Sequence, residues 1–259
     1  MSGWSWVTAV RVLSLLMAAF FLVAAILTAV LQFELTGHPP PEPPDFLDGV
    51  MAFFRWDTGR WPIDFAGTLM AGLGFVVFGA LGVLLSRLAD ATDARRNVVA
   101  ALMVMGATLG AASQLLWIGV KPVATSPQLC ECGLRAEEIM SRLMILNVVG
   151  GVQAWLNNGA IILTTIGVLV VAALVRRAGA SSGWVWFTYL LAIGAVLAPV
   201  LGELHAEPYD LISFFVLVAI LVPGWALWLA IEAPRLTPPD APDEPMDELP
   251  PAEAAPVGG

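Results

Sequence analysis

The chain has 259 residues, 58% hydrophobic and 13% charged, with a formal net charge of −9 and a mean hydropathy of +0.81. Soluble domains carry about 45–50% apolar and about 25% charged residues, so this composition leaves too little polar surface to wrap a water-soluble core. It excludes a soluble enzyme, a disordered chain and a basic nucleic-acid binder; what remains is an integral membrane protein, with the lipid bilayer as partner and no nucleic acid.

A spanning helix needs about 20 mainly apolar residues to cross about 30 Å of hydrocarbon. Six stretches qualify, at about 12–34, 64–86, 97–120, 154–175, 184–204 and 209–231. They are rich in Leu, Ala, Val and Gly and too long for membrane strands of about 9–11 residues. The predicted fold is therefore all-α, a six-transmembrane-helix bundle over residues 1–233 followed by a tail over 234–259. The first stretch is longer than the roughly 7–15 residues of a signal-peptide apolar region and is read as a retained helix.

The loop 35–63 opens with His38 and a proline run, a stiff polyproline stretch. The pattern Pro62-x-Asp64 then reads as a helix start, because proline suits the first turn and an acid there meets the positive end of the dipole. In the second span Gly67, Ala71, Gly74 and Gly82 are placed on one face; in the third, Gly106, Gly110 and Gln114 are four apart. Such stripes let membrane helices approach closely, with Gln114 expected to hydrogen-bond across the helix interface.

The next loop holds Cys130-Glu131-Cys132. A local disulfide is the favoured reading; pairing with another chain and metal binding with His38 are the alternatives. Residues 136–149 read as an interfacial helix. A continuous helix from 136 to 175 would be about 60 Å long, so a break is expected at Gly150-Gly151 or at Asn157-Asn158-Gly159. The second and fourth spans share Gly-Val-Leu, at Gly82 and Gly167, through either a parallel two-helix repeat or chance. Gly194, Ala198 and Gly202 repeat the small-residue spacing in the fifth span, ahead of Glu203-Leu204-His205. A second Pro-x-Asp pair, ending in Asp210, precedes the sixth. The acidic, proline-rich tail cannot bury apolar surface and is expected to be disordered.

Lys and Arg close to the helix ends set orientation. Arg11, Arg87, Arg95, Arg96, Arg176, Arg177 and Arg235 fall on the side of the termini, against Arg55, Arg60, Lys121, Arg135 and Arg142 on the other. The denser first set predicts a multi-pass protein of a bacterial inner (plasma) membrane with both termini cytoplasmic.

No span carries an ionisable residue in its middle, which argues against a proton relay or ion pathway there. Polar residues gather instead near the outer helix ends: Glu34, Asp64, Gln114, Asn157, Asn158, Glu203 and His205. Converging polar groups in a concave site make a ligand pocket the leading expectation. Glu203 and His205 with Asp64 also form a carboxylate and imidazole set that suits a metal ion. Beyond that ion no cofactor is expected: both histidines lie outside the spans, where they cannot ligate a haem in the bundle. Nucleophile-elbow and phosphate-loop motifs are absent, so no catalytic residue is assigned. The leading functional reading is a small transporter-like or ligand-binding bundle with an outward-facing polar pocket. A non-catalytic subunit bound to a membrane-protein partner or to its own copies is one alternative, and a metal-dependent or redox membrane enzyme using Glu203, His205 and Asp64 is the other.

Overall fold

The computed structural model describes residues 5–33, 45–89, 93–125, 136–204 and 215–236, apart from the side chains of 136, 202 and 203. No strand occurs among the described residues, and six helices are long and apolar enough to cross a membrane. They are α1 (Trp6–Gln32), α2 (Phe46–Ser86), α3 (Ala94–Thr125), α4 (Ala136–Arg177), α5 (Ser182–Glu203) and the helical stretch Val216–Arg235, whose α-helical part is α6 (Val222–Glu232). A π-helical turn, Val216–Leu221, leads into α6, and a 3-10 turn, Ala233–Arg235, follows it. Glu34, His38, Cys130, Cys132, His205, Asp210 and the tail from 237 lie outside the described residues, as does the side chain of Glu203.

Helix ends follow local chemistry. The Ser5 hydroxyl accepts from the Thr8 N–H at 3.2 Å to start α1; the Asp45 carboxylate accepts from the Leu47 N–H at 2.8 Å to start α2. Asp93 accepts from the Arg95 N–H at 2.9 Å ahead of α3, and this hydrogen bond holds its carboxyl below the usual range. Gly179, at φ 100°, terminates α4. There the Ala180 N–H reaches back to the Val175 carbonyl, a reversal that needs the left-handed backbone glycine adopts freely.

Two boundaries differ from the sequence reading. α2 starts at Phe46, so Pro62 and Asp64 lie inside it and Asp64 caps nothing. α4 runs unbroken for 42 residues; neither Gly150-Gly151 nor Asn157-Asn158-Gly159 breaks it, and the expected interfacial helix and fourth span are one element. A helical glycine costs only about 1 kcal/mol relative to alanine and an asparagine less, too little to end a helix whose apolar flanks continue on both sides. At about 1.5 Å per residue, α4 is about 63 Å long, twice the hydrocarbon thickness.

α2 packs on α1 and α3, α3 on α4, and α4 on α5; α6 closes the ring against α1 and α5. Glycines make these approaches possible. A Cβ on Gly82 would lie 2.3 Å from the Met103 Cβ, and one on Gly167 would lie 2.8 Å from the same residue's sulfur. The two Gly-Val-Leu sequences thus clasp one α3 side chain from α2 and α4. The Gly106 and Gly110 stripe also serves close packing, against Thr164 of α4 and Phe75 of α2. The α2 stripe is split: Gly67 and Gly74 receive α1, whereas Gly82 receives α3.

At the end where α1 begins and α6 ends, the bundle is filled. Trp184, Trp225, Leu81, Leu85, Val99 and Met103 are fully buried, and the Trp225 indole donates to the Thr188 hydroxyl at 3.0 Å. Glu232, 2% exposed, accepts from the Ser181 hydroxyl at 2.5 Å, the Trp228 indole and Arg235, tying the α4–α5 turn to the end of α6. The opposite end is built differently, from the first turns of α2 and the last of α3, where the Thr58 hydroxyl donates to the Thr125 carbonyl at 2.7 Å.

Candidate functional site

Above the filled floor the six helices line a partly open cavity of about 360 Å³, at the lower end of the ~300–1,000 Å³ typical of ligand pockets. Phe21 and Thr28 of α1 and Thr68, Ala71, Phe75 and Phe78 of α2 form one side. Gln114 of α3 and Gln153, Asn157, Thr164 and Thr165 of α4 form the polar side. Leu191, Ala192 and Ala195 of α5, with Leu217, Val218 and Val222 at the π-helical turn, complete the wall.

The π turn has a local cause. Pro223 has no N–H to donate, and the Val222 N–H bonds to the Leu217 carbonyl five residues back. The widened turn accommodates the missing donor and brings Leu217, Val218 and Val222 to the cavity.

No Asp, Glu, Lys, Arg or His lines the cavity among the described residues. Ionisable groups stand next to it instead. Lys121, the single lysine of the chain, is 9% exposed. Its ammonium donates to Asp57 Oδ1 at 3.0 Å and to Asp64 Oδ2. The rings of Trp117 and Trp61 lie 5.4 Å and 5.8 Å from Nζ, within cation–π reach. The Trp117 indole also donates to Asp64 Oδ2 at 3.3 Å, and Thr68, a cavity residue, donates to Asp64 Oδ1 at 3.4 Å. Asp64 thus links a paired charge cluster to the uncharged cavity without lining it.

Of the residues the sequence singled out, the structure brings Gln114 and Asn157 into one cavity and places Asp64 beside it. Asn158 is half-buried on α4 outside the lining. Gln114 does not bridge two helices: its Nε2 donates to Ser113 of its own helix at 3.1 Å, and its side chain lies over Gly72 of α2. Asp64 is held by Lys121, Trp117 and Thr68, and no group of three His, Cys, Asp or Glu is placed to hold a metal among the described residues.

The sequence reading passed over Gln153, Thr68, Thr164 and Thr165, as well as the Asp57–Lys121 pair. A signal for the pair existed: Asp57, Trp61, Asp64 and Thr68 recur at three- and four-residue spacing, as do Trp117 and Lys121, the spacing of one helix face. Comparison with protein families, curated proteins and solved structures gives no match for the chain.

Proposed function

We propose that the chain is a multi-pass membrane protein of transporter-like or ligand-binding type, with its binding site in the cavity between the helices. The observation that carries this reading is the cavity itself: all six helices contribute to its wall, and amides and threonines occupy one side of an otherwise apolar surface. A bundle built only to pack would fill that space, because interiors hold few voids larger than a water molecule. Both termini are assigned to the cytoplasm and the Lys121 end to the outer face, in line with the dense arginines at the terminal end.

The test is gentle purification of the full chain beside Ala192→Phe, a variant that fills the cavity, followed by mass spectrometry of what each releases on denaturation. A small molecule that accompanies the parent and is absent from the variant supports the reading; identical extracts refute it.

A second reading, a partner subunit, draws on the first third of α4. That segment extends beyond one hydrocarbon thickness and presents Met140, Met144, Ile145 and Val148 as exposed apolar side chains, more than a solvated helix surface carries singly.

A further inference from the structure

Part of the cavity's polar wall is unpaired. Thr165 is 7% exposed and lines the cavity, yet its hydroxyl joins none of the hydrogen bonds among the described residues. Its neighbour Thr164 shows the usual alternative, donating to the Ala160 carbonyl at 2.7 Å. The amides of Gln153 and Asn157 are also without a protein partner among the described residues, and Gln114, with its Nε2 engaged by Ser113, keeps a free carbonyl oxygen. The Thr165 side chain is buried and the two amides are half-buried; buried polar groups are normally hydrogen-bonded, so a polar set left open toward a cavity points to a partner that enters it.

Spacing and charge define that partner. Gln153, Asn157 and Thr165 fall on one stripe of α4, spread over about 18 Å at helical rise, and face an apolar wall of Phe21, Phe75 and Phe78. Primary amides offer a donor and an acceptor together, which matches a ligand group of the same dual character. A charged headgroup would leave water without meeting a counter-charge. The closest charged groups, Asp57, Asp64 and Lys121, are engaged with one another, and none of them lines the cavity.

We infer that the cavity takes an uncharged amphiphile: a headgroup of primary-amide or alcohol type held by Gln114, Gln153 and Asn157, and a slim apolar body against the phenylalanines that passes Thr165 about 12 Å farther along α4. This rests on the cavity being a binding site and specifies its ligand class.

The experiment measures saturable binding of radiolabelled nonanamide, nonanoate and nonylamine, near neutral pH, to the full chain in lipid nanodiscs, with empty nanodiscs subtracted. Isosteric variants Thr165→Val and Asn157→Leu remove polarity while keeping shape, and Ala192→Phe fills the space. The expected result is that nonanamide binds, Asn157→Leu weakens it about tenfold, the loss of one good hydrogen bond, Thr165→Val, about 12 Å along α4 from Asn157, leaves it within about twofold, and Ala192→Phe abolishes it. Nonanoate or nonylamine binding as tightly as nonanamide overturns the ligand class and leaves the cavity as a site. Unchanged nonanamide affinity in Asn157→Leu overturns the role of the unpaired amides. Absence of saturable binding by all three probes, or binding indifferent to Ala192→Phe, overturns the cavity reading itself.

Discussion

Lys121→Met is the sharpest test of how the charged end is held together. In the parent, one ammonium serves two carboxylates whose side chains are 15% and 18% exposed, and is itself 11% exposed. Removing it leaves Asp57 and Asp64 two turns apart on α2, both largely out of water. Asp64 keeps Thr68 and Trp117 as donors, whereas Asp57 loses the one ion pair that the structure gives it. Breaking a buried pair from one side costs about 3–5 kcal/mol because a charge is stranded; the residual exposure and the surviving donors of Asp64 place this case near the lower figure. The triple variant Lys121→Met, Asp57→Asn, Asp64→Asn strands no charge and should recover most of the loss, since a buried pair contributes little net stability against a neutral replacement. Denaturant unfolding in mixed micelles reads both. A Lys121→Met variant within about 0.5 kcal/mol of the parent, inside the range of an ordinary surface substitution, would refute the argument. So would a triple variant as unstable as the single one.

Three further outcomes follow from the packing. Gly82→Ala places a methyl 2.3 Å from the Met103 Cβ, an atom too close to its backbone to swing away, so α2 and α3 must part; a loss toward the upper end of about 1–3 kcal/mol is expected in the same unfolding assay. Gly150→Ala and Gly151→Ala meet nothing within 4 Å and should each stabilise α4 by about 0.5–1 kcal/mol; a loss of stability in both would show that the helix is not continuous there. Glu232→Gln weakens the hydrogen bonds from Ser181, Trp228 and Arg235 and should cost about 1.5–3 kcal/mol, the range for bonds to a charged group, and an unfolding midpoint equal to the parent's would count against it.

The apolar runs made the number of helices and their class legible, because length and hydropathy decide whether a segment can cross hydrocarbon. They did not make the helix ends legible. Pro62 resembled a first-turn proline, yet α2 begins sixteen residues earlier at the Asp45 cap, where a carboxylate satisfies the open N–H groups. Reading Asp64 as a cap then concealed its place on a helix face with Asp57 and Trp61. The cavity was half legible for a related reason. Gln114 and Asn157 stand out in apolar surroundings, whereas Thr164 and Thr165 look like ordinary helix residues whose hydroxyls bond their own backbone. Only the packing of α4 against its neighbours separates Thr164, which makes such a bond, from Thr165, which does not.

Orientation is the remaining step, and it rests on where the basic residues fall. The positive-inside bias counts Lys and Arg held near helix ends. Arg87, Arg176 and Arg177 meet this condition directly: they flank the short turns that close α2 and α4 and make no ion pair among the described residues. Of the cations at the opposite end, Lys121 is enclosed by two carboxylates, and Arg60 donates to the Leu31 carbonyl and lies 4.1 Å over the Trp56 ring. Cations engaged within the fold hold less electrostatic attraction for an anionic lipid surface, and the terminal end has such cations too: Arg11 donates to the Ala230 carbonyl, Arg95 pairs with Asp93 and Arg235 pairs with Glu232. In a background with Cys130→Ser and Cys132→Ser, the exposed positions Asn97 and Ser141 report on the two ends. A membrane-impermeant maleimide added to intact cells should label Ser141→Cys and leave Asn97→Cys untouched until the membrane is opened. The reverse pattern would place the Lys121 end inside, and the cavity would then be approached from the cytoplasm.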